Sequence, residues 1–106
     1  MKRETQQRLA IALGMTLKDG SQIQVDGGKC PSVTKMLDFM RDHYGASFAR
    51  FSRAQREDNL DDFGGRARHD AAWGTVPPAA AAILDEPCGY DCITGDRVRD
   101  ELLTYL

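Results

Sequence analysis

A chain of 106 residues accommodates one domain and leaves no room for two. With 42% hydrophobic and 28% charged residues it reads as a globular chain rather than a disordered one. A formal net charge of −2 excludes capture of polyanions, or mimicry of nucleic acid, by bulk charge alone.

The opening "MKRETQQRLAIALGM" is basic, but its apolar run is short and interrupted by polar residues and glycine, so no secretory leader is expected. No apolar stretch approaches the roughly 20 residues that cross a bilayer. The odd number of cysteines, three, makes a poor secreted disulfide framework. These features together predict a cytoplasmic protein with no membrane association.

Taken in chain order, Leu9, Ile11, Leu13, Met15 and Leu17 alternate with a period of two, which argues for a strand. "KDGS" (Lys18–Ser21) supplies a turn, with Asp19-Gly20 suited to positive φ, and Ile23 and Val25 share one face beyond it. The expectation is an N-terminal β-hairpin. A rival reading of the same residues is a short helix from Thr5 to Leu13, stopped at Gly14. The glycine-rich turn that follows leaves no recognition helix where a helix-turn-helix needs one.

"PSVTKMLDFMRDHYG" carries the clearest signal. Val33, Met36, Leu37, Met40 and Tyr44 make one apolar helical stripe, with Ser32 as N-cap and Gly45 as C-terminal stop. "ASFARFSRAQR" fits a strand or extended segment through Phe51. Residues 57–77 read as a long loop, with paired glycines, paired prolines and charge blocks of opposite sign. Helical signals return over Pro78–Leu84 and stop at Pro87. A last helix is expected over about 95–105, with Val98, Leu102, Tyr105 and Leu106 on its buried side. The predicted fold is a small α+β domain spanning 1–106, its hairpin sheet packed on a central helix (about 33–44) and the C-terminal helix.

Few residues suggest chemistry. Cys88 and Cys92 are spaced C-x3-C, whereas structural zinc favours C-x2-C or slightly longer knuckles and needs four ligands. Cys30, Cys88 and Cys92 with His69 or His43 would complete a Cys3His set, but the usual second close pair is missing. Half-buried structural thiols are the preferred reading, with no cofactor expected and zinc as the alternative. Cys30 precedes a helix start, where a thiolate is favoured, so a Cys30-based activity stays open. His43 lies about three turns down the same helix, on the order of 15 Å away, leaving His69 as its base. No Ser-His-Asp spacing, phosphate-binding loop or dinucleotide fingerprint is present, and no catalytic set is assigned. Glu57, Asp58, Asp61 and Asp62 lack the alternation of a calcium loop and read as a solvated turn.

Two features suggest binding. Arg50, Arg53 and Arg56 interleave with Phe48 and Phe51, and Arg66 and Arg68 follow, the pattern with which single-stranded nucleic acid is gripped. The acidic residues that come next cancel much of that field. Trp73, on a loop rimmed by arginines, resembles a protein-binding hot spot, and its competing role is a loop anchor plugged into the protein's own core.

The leading expectation is a non-enzymatic protein that binds another protein stoichiometrically. Inhibitors, adaptors or regulatory subunits of this kind are encoded by bacteria, phages or mobile elements as stand-alone short genes. Its expected contacts are Arg53, Arg56, Arg66, Arg68 and Trp73, with Phe63 in support. Self-association as a homodimer is a variant of this reading. A nucleic-acid-binding module using residues 48–68 and a small zinc domain are the alternatives.

Overall fold

The first helix, α1 (Arg3–Leu13), forms from a run of good helix formers and ends where glycine allows it to. Gly14 adopts φ 85°, the left-handed conformation that terminates helices cheaply only without a Cβ. The Gly14 N–H donates to the Ile11 carbonyl and the Met15 N–H to the Ala10 carbonyl, each at 3.0 Å, so two carbonyls of the last turn are satisfied.

The computed structural model describes residues 1–47, 73–88 and 97–105. Among them are three further helices, α2 (Val33–Tyr44), α3 (Pro78–Leu84) and α4 (Val98–Leu103), and no strand. The expected N-terminal β-hairpin sheet is therefore overturned, and with it the α+β assignment. The alternation that suggested a strand also suits a helix. Leu9 and Leu13, one turn apart, are both buried, while Ile11, about 200° from Leu9 around the axis, is 44% exposed. The Lys18–Ser21 turn does form. Gly20 (φ 86°) donates its N–H to the Leu17 carbonyl at 2.8 Å, and the Leu17 N–H bonds the Ser21 carbonyl at 2.9 Å. No strands flank it among the described residues.

The α2 helix matches its sequence signal. Ser32 accepts the Lys35 N–H on its side-chain oxygen at 3.2 Å, and Val33, Met36, Leu37 and Met40 are buried. Gly45, at φ 69°, ends the helix. Helix α3 begins with Pro78 at its first position, where the missing N–H costs nothing, and buries Ala80, Ile83 and Leu84. Helix α4 buries Val98, Leu102 and Leu103. Tyr105, expected on its buried side, lies beyond its last turn and is 54% exposed. The Arg97 N–H at the start of α4 is held by the Asp100 carboxylate at 3.1 Å.

Helix α1 packs mainly on α3 and also touches α2, while α3 touches α4. Leu9, Leu13, Met36, Leu37, Met40, Leu84 and Leu102 fill the space between them. Polar ties reinforce these contacts. Arg8 of α1 makes a two-pronged pair with Glu86 beyond α3, at 3.0 and 2.9 Å, and the Met1 ammonium pairs with Glu101 of α4. The Tyr44 hydroxyl donates to the Leu13 carbonyl at 2.8 Å, joining the ends of α1 and α2. An antiparallel bridge, Pro87 with Arg97, together with a 2.8 Å bond from the Val98 N–H to the Glu86 carbonyl, ties the end of α3 to the start of α4.

A candidate binding cleft at the start of the second helix

The connection between α1 and α2 doubles back on the first turns of α1. Gln7, only 1% exposed, reaches it with both ends of its amide. Its oxygen accepts the Asp26 N–H at 2.9 Å and its nitrogen donates to the Lys29 carbonyl at 3.2 Å. Gln6 donates to the Pro31 carbonyl at 2.8 Å, and the Arg3 guanidinium to the Gly28 carbonyl. The clasped segment needs unusual backbone. Asp26 stands at φ 64° and Gly28 at φ 81°, and the Gly27 N–H closes a turn onto the Gln24 carbonyl at 2.9 Å. Asp is among the few side-chain-bearing residues that tolerate such a conformation.

Between this clasped segment and the Lys18–Ser21 turn opens a cleft of about 660 Å³. Met15, Leu17, Cys30 and Pro31 give it apolar lining, and the first turn of α2 supplies Ser32 and Lys35. Its charged lining is one-sided: Arg3, Lys18, Lys29 and Lys35 against Asp19. Asp19 is already occupied, accepting the Ser21 N–H at 2.9 Å and the Ser21 hydroxyl at 2.6 Å, and these bonds hold its carboxyl below the usual carboxylate range. Among the described residues no carboxylate forms an ion pair with Lys18, Lys29 or Lys35. In a chain of net charge −2, this is a concave surface with local positive charge.

Cys30 lies in this lining, half-buried and not in a disulfide. Burial pushes its thiol up, and the nearby Arg3 charge only partly opposes that shift. Desolvation thus outweighs the help that the Arg3 cation gives to a thiolate. Cys88 is also half-buried, beyond Pro87, while Cys92 and His69 lie outside the described residues. His43 stacks on Phe39 of the same helix, ring centroids 3.9 Å apart, with its Nδ1 3.2 Å from the Phe39 carbonyl oxygen. Among the described residues no three His, Cys, Asp or Glu side chains converge on a common point suited to a metal.

Of the contacts expected from sequence, Arg53, Arg56, Arg66 and Arg68, with Phe63 in support and the 48–68 segment as a whole, lie outside the described residues. Trp73 is described, and it lies in the core at 3% exposure. The Arg99 guanidinium carbon stands 6.0 Å from the centroid of its ring, and Arg99 in turn pairs with Asp85. This is the loop-anchor placement. The cleft cations drew no attention in the sequence because they are scattered from position 3 to position 35 and only the fold gathers them. The signal that could have found them is "DGGKC" before a capped helix: a tight turn that presents Lys29 beside the helix start.

No protein-family model matches the chain, and no curated protein or solved structure matches it at a significant level. Among the described residues no helix is long and apolar enough to cross a membrane.

Proposed function

We propose that this protein acts in the cytoplasm by stoichiometric binding to another protein, as an inhibitor, adaptor or regulatory subunit. The observation that carries the reading is the cleft. It is partly open to solvent, about 660 Å³ in volume, and the connecting segment beside it is held in place by bonds from α1 side chains to its backbone. An open groove with apolar lining and a polar rim suits a strip of polypeptide better than a small molecule that must be enclosed. Walls that are already ordered reduce the entropy lost when a partner docks.

Nucleic acid is the second reading, favoured by the same four cations. Against it, none of the described residues lining the cleft is aromatic, and stacking on aromatics is how single strands are gripped.

The test is capture from nuclease-treated extract with the tagged full chain, read by mass spectrometry and by the mass of the reconstituted complex. A partner protein bound at near-equal stoichiometry after nuclease is the expected result. Capture that disappears with nuclease would move the protein to the nucleic-acid reading. If the chain remains alone, the binding reading fails.

A further inference from the structure

We infer that the cleft takes an acidic segment of the partner polypeptide, one in which carboxylate side chains alternate with apolar ones. This rests on the protein-binding reading and deepens it by stating the partner's chemistry. The charged side of the argument is the balance of the lining: four cations against a single carboxylate, which its own Ser21 already occupies. Three of the cations, Lys18, Lys29 and Lys35, have no acidic partner among the described residues, so a docking carboxylate need not displace one. Lysine is suited to this task. Its ammonium is a mobile point charge that meets carboxylates over a range of geometries, whereas arginine imposes a fixed fork.

The apolar side of the argument comes from Met15, Leu17, Cys30 and Pro31 in the same lining. Met15 and Leu17 pack in part against the core, and all four keep some surface exposed, which a phosphate or other small anion would not use. An extended peptide sends successive side chains to opposite sides, so alternation of acid and aliphatic residues lets one set meet the lysines and the other meet the apolar lining. Methionine tolerates several shapes of aliphatic side chain at such a surface. The positive charge also hastens encounter with an acidic partner, and salt should slow it.

The experiment is fluorescence anisotropy on the full chain with a labelled octapeptide alternating glutamate and leucine. The same peptide with glutamine for glutamate, a twelve-residue oligothymidylate and inorganic phosphate as competitor complete the set. The glutamate peptide should bind at micromolar concentration, at least tenfold more tightly than the glutamine peptide, and phosphate should not displace it at equal ionic strength. The charge reversal K29E/K35E should weaken it at least tenfold while leaving the melting transition in place. K18E/K35E serves as the second variant if the first does not fold. Equal affinity for the two peptides, no binding, unchanged affinity in a folded reversal variant, or a preference for the oligonucleotide or phosphate would each overturn the assignment. The two levels separate cleanly. A stoichiometric partner retained equally by K29E/K35E leaves protein binding standing and removes the cleft. Peptide binding by a chain that captures no partner removes the functional reading and leaves the cleft's chemistry intact.

Discussion

Gly74 and Tyr44 meet backbone to backbone. A Cβ placed on Gly74 would stand 2.3 Å from the Tyr44 carbonyl oxygen and 2.8 Å from the Ala46 nitrogen. The adjoining Thr75 makes use of that closeness, donating its N–H to the same carbonyl at 2.9 Å, and its hydroxyl stands 3.3 Å from it. The Gly74–Thr75 segment is thus seated on the C-terminal end of α2, and only glycine fits the seat.

Gly74→Ala should therefore destabilise the protein by roughly 3 kcal/mol or more, since the contact is with backbone that cannot swing aside and φ is 74°. Gly20→Ala provides the comparison. Its φ is also positive, at 86°, but nothing stands within 4 Å of the added carbon, so conformational strain of about 1 kcal/mol is the whole cost. Urea denaturation of the two variants checks both. Equal losses would mean that the close approach to Tyr44 carries no weight.

Trp73 is the chain's only tryptophan, and its placement makes a second prediction. Buried beside Arg99, it should emit as a shielded indole and shift to the red on unfolding. Trp73→Ala should cost about 3–5 kcal/mol, the range for removing a buried aromatic ring. A domain of this size commonly has about 5–15 kcal/mol in total, so the variant should melt far below the parent. Circular dichroism melts decide the matter. A variant that keeps the parental melting point would place the ring outside the core.

Cys30 supplies a pH dependence. Burial raises its thiol above the usual range, so the folded protein holds that proton more tightly than the unfolded chain does. The stability linked to it is fully present below the thiol range of an unfolded cysteine and is lost as pH rises through the folded value. In a C88S/C92S background, alkylation by iodoacetamide should be slow at neutral pH, with a midpoint above that of a free thiol. Arg3→Gln should move the midpoint further up, because the Arg3 charge lowers it. A midpoint below the free-thiol value would mark Cys30 as an activated nucleophile and favour the catalytic reading.

The legibility of the sequence differed sharply between elements. In α2, cap, stripe and stop coincide: Ser32, the Val33–Met40 positions and Gly45 each act as their residue types predict. In α1 they conflict. The stretch from Leu9 to Leu13 is apolar at every position, so alternation and helical spacing are both satisfied, and the decision falls to Gly14 and to packing on α3. The α3 boundaries were readable because prolines stand at both ends. Of the cleft, only the "DGGKC" turn ahead of the capped helix was readable, since its cations belong to α1, a turn, a loop and α2. Tertiary structure alone makes them neighbours. Trp73 shows the opposite limit, where two roles were legible and burial, which the sequence does not display, chooses between them.

The amide of Gln7 has an implication for how uniquely the chain folds. The interior is mostly leucine, methionine and alanine, whose apolar contacts carry no directional bonds. A buried amide that must meet both the Asp26 N–H and the Lys29 carbonyl adds such direction, because a shift of one residue along α1 would strand polar groups away from water. Gln7 thereby acts as an indexing pin. It fixes the alignment of α1 against the connecting segment, whose Lys29 and Pro31 line the cleft.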